Sequence, residues 1–246
     1  MHRLASRFRV IAVDLYGSGQ TVAWPQDEPM RLDDEVALLQ PVFRSAGDRF
    51  HLIGHSYGGA IALKAALTYQ HRLISLVVYE PVLFSVLMAN APQSDAAREI
   101  VAVRDDTMRL VEQGDFHASA ERFVDYWTGD GAWAAIPESR RPEIAETIRT
   151  VKPKWHALFQ EATPLEAFAQ LNIPTLLLTG TRSKASALAV ARLLAKVLPR
   201  ARREEIEGAG HMAPVTHPEL INPFIERFLE ATQPAAAGEA PNSARA

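Results

Sequence analysis

The residue in this sequence best equipped for chemistry is Ser56. It stands in Gly54-His55-Ser56-Tyr57-Gly58-Gly59, just after the strand-like run Phe-His-Leu-Ile and at the head of a helical pattern over Tyr57 to Tyr69. A serine bracketed by glycines between a strand and a helix predicts a sharp, strained bend. Gly54 and Gly58 are read as leaving out side chains that would clash with the strand or the helix. Such a bend lifts the serine hydroxyl clear of the sheet. The helix start beneath it presents the Tyr57 backbone N–H and a partial positive charge, both suited to a developing oxyanion. A Ser/Gly turn before an ordinary helix would show the same letters, and the strand–turn–helix placement is what favours the reactive reading.

A serine hydroxyl is a poor nucleophile until a neighbour removes its proton. Histidine, with an ordinary pKa of about 6.5, suits that task at neutral pH. Of the eight histidines, His211 is the candidate. It stands in Gly208-Ala209-Gly210-His211-Met212, after the last strand-like segment and before the last helical one. Flanking glycines permit a loop that swings the ring over a sheet edge. His55 lies inside the bend and packs beneath it. His2, His51, His71 and His217 read as surface or packing residues, and His117 and His156 could line a pocket. His217 stands too far from His211 and too near Pro218 to make a metal pair. The chain has no cysteine, which excludes disulfides, thiolate nucleophiles and cysteine-bound zinc.

The elements that must position these groups follow from periodicity. Short, nearly continuous apolar runs at Phe8–Val13, Phe50–Ile53, Ile74–Tyr79, Thr175–Thr179 and, more weakly, Arg203–Ile206 predict parallel strands covered on both faces. Helical patterns lie between and after them, over Asp33–Ala46, Tyr57–Tyr69, Ala185–Leu198 and Pro218–Ala231. Alternating strand and helix imply an α/β fold. From about Met88 to Gln170 there is no strand candidate. Apolar residues there recur at helical spacing, so this stretch is read as a helical insertion. From about Thr232 the chain turns Ala/Pro-rich and aperiodic, which predicts disorder.

Composition narrows the classes. At 246 residues, 48% hydrophobic and 22% charged, the chain suits one globular α/β domain with an inserted sub-domain. Its 26 Lys+Arg against 29 Asp+Glu give −3, with no electrostatic footprint for nucleic acid or an anionic membrane. The basic run Arg200–Arg203 is followed at once by Glu204 and Glu205 and reads as a solvated strand edge. No apolar run reaches the length of a membrane span, and the start lacks the apolar core of a signal peptide. A cytoplasmic address is the expectation, with a small-molecule substrate, no nucleic acid, no membrane and room for a homodimer.

With these motifs in place, the chain resembles the α/β-hydrolase superfamily, in the group with a helical cap before the penultimate strand. The likeness rests on Ile11–Thr21 (IAVDLYGSGQT), Gly54–Gly59 (GHSYGG), Pro174–Gly180 (PTLLLTG) and Gly208–Met212 (GAGHM), and covers about residues 1–231. It implies a mostly parallel sheet, a core of residues 1–87 and 171–231, a cap of 88–170 and a tail of 232–246. Asp14, in D-x-x-G-x-G, would cap its turn. That turn is no dinucleotide loop, because Val22 stands where a third glycine is needed.

The chain departs from the family pattern twice. The family's catalytic acid usually follows the PTLLLTG strand by three residues, where this sequence has Ser183, and no Asp or Glu occurs from Leu171 to Arg203. Some relatives place the acid after the preceding core strand, here Val78-Tyr79-Glu80-Pro81, which makes Glu80 the candidate. A structural Glu80 beside a Ser–His dyad is the alternative. The family also carries two or three strands and a His-Gly loop, donor of the second oxyanion N–H, ahead of the D-x-x-G-x-G turn. The sequence as given starts near the end of the first helix and contains no His-Gly pair. N-terminal strands are therefore expected to be missing, through a fragment, a mis-assigned start or a true truncation.

The resemblance implies a serine hydrolase that forms an acyl-enzyme and needs no metal or organic cofactor, with catalytic Ser56, His211 and Glu80 and oxyanion donor Tyr57. Trp127, Trp155 and Phe159, with Trp133 and Phe168, would supply an apolar lid or pocket, or simply pack the cap helices. An apolar cap favours a small or medium carboxylic ester; thioester and C–C bond hydrolysis stay open. So does a catalytically impaired or non-catalytic binding protein of the same fold.

Overall fold

The computed structural model describes residues 2–25 and 28–234. In chain order the elements are α1 (His2–Ala5), α2 (Leu32–Leu38), α3 (Gln40–Ser45), β1 (Phe50–His55), α4 (Tyr57–Tyr69), β2 (Leu73–Tyr79) and α5 (Phe84–Asn90). Then come α6 (Asp95–Glu112), α7 (Phe116–Thr128), α8 (Ala132–Ala135), α9 (Arg141–Thr147) and α10 (Val151–Phe159). The chain closes with β3 (Thr175–Gly180), α11 (Ala185–Val197), β4 (Ala201–Ile206), α12 (Ala213–Thr216) and α13 (Pro218–Thr232). The disorder expected in the tail falls outside the described residues from 235 onward; Thr232 itself is the last residue of α13.

Among the described residues the sheet has four strands in the order β1-β2-β3-β4, every neighbouring pair parallel. Alternation along β2 separates its two faces. Leu76 and Val78 join the larger core formed with α4, α11 and the helices between β2 and β3, while Val77 and Tyr79 join a smaller core under α13. On β3, Leu177 points one way and Leu176 and Leu178 the other. These strands are covered on both faces, which is why they read as unbroken apolar runs. On β4, Arg202 pairs with Glu204 and Arg203 with Glu205, as a solvated edge should.

Two expectations need correction. The run Phe8–Val13 forms no strand, and Val10, Ile11 and Val13 are 37%, 39% and 41% exposed. Its composition suits a strand, but a strand exists only as part of a ladder, and no described strand runs beside it. The helix expected over Asp33–Ala46 is split into α2 and α3 at Leu39. Pro41 explains the break, since it has no N–H to offer the Ala37 carbonyl and its ring crowds that turn.

Register sets the site. His55 lies opposite Tyr79 across β1 and β2, Tyr79 opposite Leu178 across β2 and β3, and Gly180 opposite Ile206 across β3 and β4. The residues that follow each strand, Ser56, Glu80, Thr181 and the loop through His211, therefore emerge at one rim of the sheet. Between β2 and β3 the chain forms only helices. Of these, α5, α7 and α10 place Phe84, Trp127, Trp155 and Phe159 in the larger core.

Candidate active site

Ser56 has φ 55° and ψ −121°, a conformation an L-residue holds only when its surroundings compel it. Its N–H donates to the Tyr79 carbonyl at 3.0 Å, and its own carbonyl accepts from Gly59 N–H at 2.9 Å and Ala60 N–H at 3.1 Å. The bend is thus nailed to the neighbouring strand and to the first turn of α4. The glycines divide the labour differently from the sequence reading. A Cβ on Gly54 would overlap the Gly58 carbonyl, and one on Gly59 would stand 3.1 Å from Pro81, whereas a Cβ on Gly58 would meet nothing within 4 Å. Close approach of strand and helix demands Gly54; it does not demand Gly58.

His211 brings its ring onto this bend. Its Nδ1 lies 2.8 Å from Glu80 Oε2 and its Nε2 lies 2.9 Å from Ser56 Oγ. A carboxylate oxygen accepts, so Nδ1 carries the hydrogen. Nε2 is then left as the acceptor for the serine O–H, which is the tautomer a general base needs. His211 is 3% exposed and Glu80 fully buried. Glu80 also has a positive φ, 44°, directly before Pro81, where the backbone is already restricted. Its Oε1 accepts the Gly180 N–H at 2.8 Å and the Ser183 hydroxyl. The structure thus brings Ser56, His211 and Glu80 into one continuous chain of hydrogen bonds.

Four further contacts hold the imidazole. His55 Nε2 lies 2.8 Å from the His211 carbonyl, which can only accept, so His55 carries its hydrogen on Nε2. Burial, aided by the nearby His211, lowers the His55 pKa from 6.5 to about 3. The Tyr79 hydroxyl donates to the Gly210 carbonyl at 2.7 Å, and Arg182 N–H donates to the Ala209 carbonyl at 2.9 Å. Against the face of the ring, Trp127 lies 4.1 Å from His211, centroid to centroid, at 34°. Trp155 and Phe159 do not reach the imidazole in the same way. They pack with Phe84 at 6.1 and 5.3 Å, and all three predicted lid residues are buried, at 7%, 4% and 8% exposure. Trp133 belongs to a separate small cluster with Ala120 and Ala145, where His117 meets its ring edge-on at 4.9 Å. His156 reaches the Met30 carbonyl at 3.0 Å rather than a pocket.

Tyr57 is the first residue of α4, so its N–H has no acceptor within the helix. Its side chain turns away toward α2, donating to Glu35 Oε1 at 3.2 Å. Glu35 Oε2 accepts the Tyr16 N–H at 3.3 Å. Burial raises the Glu35 pKa against these bonds, raises that of Tyr57, and lowers that of Lys154, whose ammonium stands 6.0 Å from the Tyr57 ring. In the turn before α2, the Asp14 carboxylate fills the space a Cβ on Gly19 would need, and Gly19 has φ 54°. A cavity of about 360 Å³ opens on α7, lined by Glu121, Arg122, Asp125, Tyr126 and Lys184. It is charged and touches neither Ser56 nor His211.

Sequence reasoning missed three contributors: Ser183 and Gly180 behind the acid, and the His55 bond to the base. A signal existed for the first. The sequence placed a hydroxyl residue where an acid was expected, beside a strand end that supplied one.

The model of the Alpha/beta hydrolase family matches residues 1–224. The chain is 27% identical over 240 residues to a pimeloyl-[acyl-carrier protein] methyl ester esterase of Aeromonas hydrophila subsp. hydrophila, covering 92% of this chain and 87% of that relative. Among solved structures it superposes on a thermophilic esterase from Thermogutta terrifontis, with a TM-score of 0.68 and 24% identity over 95% of this chain and 84% of that one. A hydrolase from Oleispira antarctica gives a TM-score of 0.74 at 19% identity, covering 93% and 84%. No helix among the described residues is long and apolar enough to cross a membrane. The chain belongs to the alpha/beta hydrolase family and is a hydrolase of that fold.

Proposed function

We propose that this hydrolase cleaves small or medium, mainly apolar carboxylic esters through an acyl-enzyme on Ser56. One observation carries the proposal: Ser56 Oγ, His211 and Glu80 stand in line at 2.9 and 2.8 Å, with the imidazole tautomer fixed by the acid. His211 Nε2 takes the hydroxyl proton as Ser56 Oγ attacks the acyl carbonyl. The Tyr57 N–H, at the positive end of α4, faces the negative charge that develops on the carbonyl oxygen. His211 then returns the proton to the leaving alkoxide; in the second half it takes a proton from the water that attacks the acyl carbon and hands it to Ser56 Oγ as the acid departs. Glu80 stabilises the imidazolium in both halves. The apolar preference rests on Trp127, which sets an aromatic rather than a charged surface against the His211 ring and packs through Phe84 with the buried Trp155 and Phe159.

The test is hydrolysis of p-nitrophenyl esters of increasing chain length by the parent and by Ser56→Ala. Turnover in the parent and only background in the variant is the expected outcome, with butyrate or longer favoured over acetate. Equal turnover in both would refute the acyl-enzyme on Ser56.

A further inference from the structure

The two oxygens of the Glu80 carboxylate have different surroundings. Oε2 faces His211 Nδ1 at 2.8 Å, while Oε1 accepts the Gly180 N–H at 2.8 Å and the Ser183 hydroxyl. The terminal torsion of a glutamate is broad and two-fold, so the side chain alone does not choose which way its carboxylate plane turns. At a fully buried carboxylate that choice has to be made by partners. Gly180 is the last residue of β3, and its N–H is set by the strand. Ser183 lies in the loop beyond, where its own N–H donates to the Gly180 carbonyl at 3.2 Å. The preceding residue, Arg182, binds the Ala209 carbonyl at 2.9 Å and so ties this loop to the segment that carries His211.

We propose that Ser183 is a positioning residue for the acid: with the Gly180 N–H, its hydroxyl fixes the carboxylate rotation that aims Glu80 at His211. The proposal rests on the Ser56–His211–Glu80 reading above and goes beyond it. Ser183 acts through Glu80. The groups packed on the same chain of bonds are His55, donating to the His211 carbonyl, Tyr79, donating to the Gly210 carbonyl, and Trp127 on the ring face. Removal of the serine hydroxyl has two effects. It frees the carboxylate to turn, which lowers kcat. It also withdraws a donor that spreads the negative charge, so the charge facing Nδ1 grows. A stronger charge there favours the imidazolium, and the base is released only at higher pH.

The experiment compares Ser183→Ala, Ser183→Thr and Ser56→Ala in the full chain with p-nitrophenyl butyrate, following kcat and KM through the acid limb of the pH profile. Ser183→Ala is expected to lose about tenfold to a hundredfold in kcat, the worth of one hydrogen bond to a charged group. KM should barely change, and the acid limb should move to higher pH. Ser183→Thr restores both toward the parent. If Ser183→Ala does not melt cooperatively, Ser183→Cys, which keeps the volume with a weak donor, carries the same comparison. A folded variant without the hydroxyl that keeps the parent's kcat and acid limb overturns the proposal. So does a loss of rate with an unmoved limb that threonine fails to repair, since that is packing alone. Activity retained in Ser56→Ala would instead sink the triad reading itself.

Discussion

Consider Glu80→Gln, an exchange that keeps the shape of the side chain and removes its charge. The orientation of the new amide is dictated by what surrounds it. Gly180 N–H and the Ser183 hydroxyl both donate to the Oε1 seat, so the amide oxygen takes that seat and the NH2 is turned toward His211. An NH2 facing Nδ1 at about the present 2.8 Å can only donate. The imidazole must then carry its hydrogen on Nε2, pointing at Ser56 Oγ, and can no longer accept the serine proton. A wrong tautomer of this kind costs about 10⁴ in kcat where an orienting acid has been neutralised. At about 1.36 kcal/mol per decade this is about 5.5 kcal/mol of transition-state stabilisation. The assay is steady-state hydrolysis of p-nitrophenyl butyrate, with a thermal melt to confirm that the variant folds. KM should change little, because the amide does not face the substrate. A folded Glu80→Gln with kcat within about tenfold of the parent would mean that Glu80 is structural and the chemistry runs on a dyad.

Two further predictions follow from the bend and its neighbours. Gly54→Ala drives a Cβ into the Gly58 carbonyl and should cost about 1–3 kcal/mol along with activity. Gly58→Ala, pointing into open space within α4, should keep the fold and gain up to about 1 kcal/mol; equal melting shifts for the two would reject this account of the bend. His55 supplies a pH dependence. Its folded pKa of about 3 lies below its ordinary 6.5, so the unfolded chain binds this proton more readily. The stability it contributes is whole above about 6.5, drains as pH falls toward about 3, and changes no further below that. Denaturant midpoints measured against pH should fall less steeply in His55→Asn, and parallel curves would refute the assignment.

The fold was legible where burial on both faces left an unbroken apolar run, as in β2 and β3, and where a helix began on a recognisable bend, as in α4. It was illegible at Phe8–Val13, whose residues suit a strand but whose partner is a property of the sheet rather than of the segment. Pro41 could have been read as a break in the helix, yet the apolar spacing on either side of it hides the interruption. In the site, Ser56 and His211 were readable because flanking glycines mark both. Glu80 was reachable only through the family resemblance, once position 183 lacked an acid; of its two donors Ser183 was hinted at by a hydroxyl in that place, and Gly180 was not reachable at all. Gly180 contributes a backbone N–H that no side-chain pattern records. Ser183 contributes a hydroxyl that matters only because the register of β2 against β3 brings residues 80 and 183 together.

Ser56 and Glu80 are the two non-glycine residues with positive φ among those described, at 55° and 44°. A backbone wound that way costs about 1–3 kcal/mol for any residue with a side chain, and glycine escapes the penalty. Glycine also has nothing to donate or accept beyond its backbone. A laboratory selection that rewards only heat tolerance would therefore be drawn toward glycine at position 56 and discard the catalyst while improving the scaffold. Improvement of this protein needs turnover in the screen from the first round, because here the most comfortable backbone and the working one belong to different amino acids.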